Sequence, residues 1–129
     1  MSNTLSKFEA VYTEINEDNL YKAALENPSL VVGIIEDDSL RPFTRAIALL
    51  KLSELADDAY WDLCLKGLNH KESLIREAAA QAFVNYAIRD DDPRAEAETV
   101  LNHHLTTEDH PGVQTQIKHA LIAIDFYKD

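Results

Sequence analysis

The residues in this chain best equipped for chemistry are its carboxylates, and they come in clusters. Glu36-Asp37-Asp38, Asp57-Asp58 with Asp62, Asp90-Asp91-Asp92 and Glu108-Asp109 punctuate the sequence. Neighbouring carboxylates can divide acid and base roles, hold a metal, or face a cation. The first use needs a pocket that drives two pKa values apart, and contiguous aspartates are ordinarily solvated instead. The second needs three or four converging ligands. Of the 5 histidines, His103, His104, His110 and His119 fall towards the C-terminus. His103 and His104 point about 100° apart on a helix, so they are poor co-ligands. The single cysteine, Cys64, sits among Trp61, Leu63, Leu65 and Leu68. That setting favours a buried structural thiol over a nucleophile. There is no P-loop, no G-x-S-x-G and no EF-hand spacing. No enzyme, no metal and no cofactor is expected; the acids are left to cap helices or to face a partner.

Charge favours the partner. Asp and Glu number 23 against 12 Lys and Arg, a net of −11. Such a field repels phosphate backbones, so direct nucleic-acid binding is not expected. It attracts a basic protein and speeds the encounter; it also keeps a protein soluble. Asp57-Asp58 and Asp90 to Asp92 occupy equivalent turns between successive helix pairs, which predicts an acidic ridge along one edge. The clusters at Glu36 to Asp38 and Glu108-Asp109 fall on the opposite edge. Aspartates at helix starts also cap free N–H groups and meet the positive end of the dipole. Tyr60 and Trp61 open a helix after an acidic turn; one belongs to the core and the other is a candidate interface anchor. The candidate partner-binding set is Asp37, Asp38, Asp57, Asp58, Tyr60, Trp61, Asp62, Asp90, Asp91 and Asp92.

The elements that must carry these residues are helices. A chain of 129 residues is one domain's worth, and 3 Gly with 4 Pro leave few turns for a β fold. The organising stretch is SLIREAAAQAFVNY, Ser73 to Tyr86, with an apolar stripe at Ile75, Ala79, Ala82, Phe83 and Tyr86. That is the spacing of one helical face. The stripe recurs 38 residues on at Val113, Ile117, Ala120, Leu121 and Ile124, and a repeat of that period means stacked units. Ahead of these, the pattern predicts a helix over 3–15 carrying Leu5, Phe8, Val11 or Tyr12, and Ile15. A second starts at Glu17 or Asp18 and ends at Asn27-Pro28. Leu30 to Ile35 could be a strand, but no second strand offers itself, so a short buried helix is expected. Ser39 is the expected N-cap of a helix over 40–56, with Phe43, Ala46, Ile47 and Leu50 on its apolar line and Leu49, Leu52 and Leu55 widening it. Further helices are expected over 59–68, from Pro93, and over 113–127. The N-terminus MSNTLSKFEAVYTEI has no long apolar run, so no signal peptide, no membrane span and a cytoplasmic setting are expected.

The alternation of shorter and longer helices joined by acidic turns is similar to HEAT-type repeats. The stretch ESLIREAAAQAF, residues 72–83, resembles a HEAT second helix most: an apolar residue (Ile75), then Arg76, a pair of alanines (Ala78-Ala79) and an apolar residue (Phe83). HPGVQTQIKHAL is a weaker copy, with Gln114 where the family has arginine, and RPFTRAIALL is weaker again because Lys51 interrupts its stripe. The resemblance covers residues 40–127; residues 1–39 would be divergent N-terminal helices or a cap. It implies a single domain over 1–129, a short right-handed α-solenoid of about seven or eight helices, whose second helices line the concave face. It implies a binding surface in place of an active site. Small proteins of this build include scaffolds, phycobilin-lyase-like modules and immunity proteins. The function expected is therefore binding and neutralising a basic protein, most concretely as an immunity protein against a nuclease toxin. The alternative is a scaffold or adaptor without inhibitory role, and behind it a small enzyme or chromophore-handling module using the concave groove.

Overall fold

Proline placement sets the helix starts. All 4 prolines stand at the first residue of a helix, where the missing N–H has no intrahelical partner to lose. The computed structural model describes residues 17–87 and 93–126. Among these, every regular element is a helix: α1 (Glu17–Glu26), α2 (Pro28–Glu36), α3 (Pro42–Ser53), a 3-10 turn (Asp58–Tyr60), α4 (Trp61–Leu68), α5 (Ser73–Ala87), α6 (Pro93–Leu105) and α7 (Pro111–Phe126). The run LVVGII is helical, with Val31, Ile34 and Ile35 buried. The helix expected over residues 3–15 lies outside the described residues.

α5 is the centre. It packs against α3, α4, α6 and α7, while α2 packs on α1 and α3, and α6 on α7. Contact on so many sides explains its composition. Ala78, Ala79, Ala80, Ala82 and Ala87 are all buried, and small side chains let four neighbours approach. Alanine is also the strongest helix former, so composition and environment agree. The expected stripe of Ile75, Ala79, Ala82, Phe83 and Tyr86 is buried throughout, as are Val113, Ile117, Ala120 and Ile124, while Leu121 is half-buried. Each large apolar side chain so covered contributes about 1.5–3 kcal/mol. Gly67 is required by the close approach of α4: a Cβ there would stand 3.0 Å from Leu49 Cδ2 and 3.2 Å from the Ala79 Cβ.

α3, α5 and α7 run parallel, because bonds join like end to like end. Near the C-termini of α3 and α5, Asn85 Nδ2 donates to Ser53 Oγ at 2.8 Å, and that hydroxyl donates to the Leu50 carbonyl. Near the N-termini of α5 and α7, Arg76 reaches Glu108, and further along Gln81 Nε2 donates to Gln116 Oε1 at 2.8 Å.

Three local expectations need correction. Ser39 does not cap α3: its N–H and hydroxyl both bond to Asp37 Oδ1, closing the turn locally, and extended Arg41 precedes α3 without a side-chain cap. Of the expected apolar line of α3, Ala46 is buried and Ile47 and Leu50 are half-buried, but Phe43 is 59% exposed; Thr44, Ala48, Leu49 and Leu52 complete the buried side. The helix also stops at Ser53 short of residue 56; Ala56, with φ 49°, turns the chain towards the 3-10 turn. No described helix is long and apolar enough to cross a membrane.

Candidate functional site

The acidic clusters meet different fates, and the helix ends decide which. At the edge formed by the α2–α3, α4–α5 and α6–α7 turns, Glu36, Asp38 and Glu108 are bound by the chain's own side chains. Glu108 is the extreme case. Its side chain is 3% exposed. Its carboxylate accepts from Arg76 Nε at 3.0 Å and Nη2 at 3.1 Å, from the His110 N–H at 3.1 Å, and lies 2.9 Å from His104 Nε2. Burial pushes this carboxyl's pKa up, but hydrogen bonds from Arg76, His104 and the His110 backbone outweigh it, and the net displacement is downward. Arg76 also donates through Nη1 to the carbonyls of His70 and Lys71, fastening the α4–α5 turn to the α6–α7 turn.

One part of this arrangement, a bond back to a carbonyl ahead of the helix, recurs at two matching positions. Buried Arg45 donates to the Ile35 carbonyl at 2.8 Å and pairs with Asp38 at 3.3 Å. Gln114, the residue that replaces arginine in the C-terminal copy, donates to the Glu108 carbonyl at 2.6 Å. Glu36 pairs with Lys66 at 3.5 Å. Between these turns lies a hollow of about 220 Å³, with Ile35, Leu63 and Ile75 among its walls and His70 at its rim. Burial and the charge of Arg45 lower the His70 pKa, and its Nδ1 accepts the Glu72 N–H at 3.0 Å, a bond that needs the neutral ring.

The opposite edge carries the other half of the candidate set. Asp57 Oδ1 accepts the Ala59 N–H at 2.9 Å, so this residue caps the 3-10 turn. Its carbonyl takes the Tyr86 hydroxyl at 2.6 Å. Asp57, Asp58 and Asp62 are exposed, and Tyr60 is half-buried. Trp61 is half-buried too, edge-on to Phe83 and Tyr86 with ring centroids 5.1 Å away in each case. Of the two aromatics, Trp61 is therefore the one locked into the core by stacking. Asp90, Asp91 and Asp92 lie outside the described residues. On the first edge, Asp37 is half-buried and spends Oδ1 on Ser39, while Asp38 is exposed and paired with Arg45. The structure thus brings Asp57, Asp58, Tyr60, Trp61 and Asp62 together and sets Asp37 and Asp38 on the far edge.

A third region was missed by sequence reasoning. On the sides of α3, α5 and α7 turned away from α4 and α6, apolar residues face outward. Phe43, Leu74, Ile122 and Phe126 are 59%, 44%, 67% and 78% exposed. Ile47, Leu50 and Val84 are half-buried beside them. Ile47, Leu50, Lys51 and Glu54 of α3 face Gln81, Val84 and Asn85 of α5 across a groove of about 370 Å³. On α7, His119, Ile122, Ala123 and Phe126 form a second, shallow apolar hollow. One signal was available: Leu74, Val84 and Ile122 are apolar yet stand off the repeating stripe, a placement that a buried face does not require.

Cys64 is fully buried, and burial pushes its thiol up to about 12. Among the described residues no group of three His, Cys, Asp or Glu side chains could hold a metal ion. No family model matches the chain, and comparison with curated proteins and with solved structures returns no match.

Proposed function

We propose that this chain is an acidic, non-enzymatic protein-binding module of HEAT-like build, acting in the cytoplasm on a basic protein partner, and most concretely an immunity protein that blocks a nuclease toxin. The observation that carries the proposal is the outward apolar face of α3, α5 and α7. Large apolar side chains left exposed on three parallel helices of an otherwise highly charged protein mark an interaction site. A net charge of −11 makes a basic partner the favoured one and a phosphate backbone a disfavoured one. The repeat reading draws support from Arg45, Arg76 and Gln114, which perform one task at matching places on three parallel helices.

A specific observation favours the alternative, a scaffold or adaptor without inhibitory role. Glu36, Asp38 and Glu108 are engaged by Lys66, Arg45 and Arg76, so the clusters on that edge serve the fold first. Titration against a basic nuclease domain across a salt series separates the two. The inhibitor reading expects nanomolar affinity, an association rate that falls steeply with salt, and loss of nuclease activity in the complex. Binding that is indifferent to salt, or that leaves the nuclease active, sinks it.

A further inference from the structure

We infer that the groove between α3 and α5 is the seat of a single amphipathic helix of the partner, whose basic residues gather at the end lying beside Glu54 and Asp57. The inference rests on the protein-binding reading and adds the shape and polarity of what binds. Ile47 and Leu50 form one wall and Val84 the other, with the polar arms of Gln81 and Asn85 between them. Two parallel helices side by side leave a furrow that accepts the ridge of a third, read as apolar anchors at i, i+3 or i+4, and i+7. A second apolar hollow lies on α7, lined by His119, Ile122, Ala123 and Phe126.

Charge fixes the occupant and its direction. The first turns of α3, α5 and α7 carry no acid, and the last turns of α5 and α7 carry no base. Their parallel dipoles therefore add to a negative field at the C-terminal end. Glu54 and Asp57 stand at that end, Glu54 paired with Lys51 at 3.6 Å. At the other end Arg41 and Lys71 are exposed, and the exposed acids Asp38 and Glu36 there are paired with Arg45 and Lys66. A second copy of this chain would bring another −11 to the same surface, and an anionic membrane would be repelled likewise. A basic amphipathic helix meets both the furrow and the field.

The test uses the full chain and a peptide of about 18 residues, long enough to hold a helix, built of Leu, Ala and Lys with the lysines at one end. Its counterpart carries Glu for Lys. Methyl NMR reports where each peptide sits, and fluorescence anisotropy reports how tightly. The Lys peptide is expected to perturb Ile47, Leu50, Val84 and Ile122, and to bind at least roughly tenfold more tightly than the Glu peptide. Gln81→Arg, at an exposed position that folding tolerates, is expected to weaken it by roughly tenfold. Asp62→Asn, outside the furrow, is expected to change little. If the Lys peptide binds but perturbs only the Asp57–Asp62 edge, the groove assignment falls while the basic-partner reading stands. If the two peptides bind equally in the furrow, the polarity falls. If neither binds, or the furrow methyls respond to residues 1–16 of the same chain in paramagnetic labelling, the groove is not the seat of a partner helix.

Discussion

Glu108→Ala removes the carboxylate that ties three segments together, and its cost can be worked from the geometry. The side chain is 3% exposed and takes two bonds from Arg76, one from the His110 N–H, and the His104 contact. Deleting one member of a buried ion pair costs about 3–5 kcal/mol, because the other charge is left without its counter-ion. Arg76 keeps its bonds to the His70 and Lys71 carbonyls, and its side chain is 16% exposed. Those outlets place the expected loss at the low end, about 3 kcal/mol. Against a typical total of about 5–15 kcal/mol that is a large share, and it corresponds to a Tm lowered by about 10 °C. Urea unfolding followed by far-UV circular dichroism measures it. A double-mutant cycle with Arg76→Gln isolates the pair, with a coupling of about 2 kcal/mol expected. A loss under about 1 kcal/mol, or a coupling near zero, refutes the idea that this pair fastens the α4–α5 turn to the α6–α7 turn.

Other expectations follow from the same contacts. Folding holds the Glu108 carboxyl below its ordinary 4.5, so the unfolded chain binds that proton more tightly; its stabilisation is complete above that value and drains as pH falls below it, and Glu108→Gln should flatten this part of a stability–pH curve. The His70 pKa is likewise lowered from 6.5, so its contribution is full above 6.5 and declines as pH drops below it; His70→Gln should remove that slope. Cys64, with its thiol raised to about 12, should react with a thiol reagent at least about a thousandfold more slowly in the native chain than in urea. Tyr86→Phe loses the 2.6 Å bond to the Asp57 carbonyl and should cost about 1 kcal/mol, whereas Phe83→Ala, emptying the centre of the core, should cost about 3–5 kcal/mol; comparable losses from the two would contradict the packing described.

Much of the helical framework was legible because burial imposes a period on the sequence. Ile75, Phe83, Val113 and Ile117 declare their face by spacing alone, and proline declares helix starts. What stayed hidden depends on long-range geometry. Glu108 and Asp109 read alike in sequence, yet one is buried against Arg76, 32 residues away, and the other is exposed. Nothing local distinguishes them. Phe43 was misplaced because an apolar residue in the first turn of a helix reads as core whichever way the turn faces. The outward face of α3, α5 and α7 was missed for a related reason: Ile47 and Leu50 satisfy a helical stripe, and only the packing of α5 beside them shows that the stripe is half open.

The most direct test of a basic partner held on the α3, α5 and α7 face is to recover what co-purifies with the chain from its native host, identify it by mass spectrometry, and map the complex by hydrogen exchange and methyl footprinting. A basic protein, with protection centred on Ile47, Leu50, Val84 and Ile122, is the result expected. An acidic partner, or a footprint confined to α2, α4 and α6, would contradict the account.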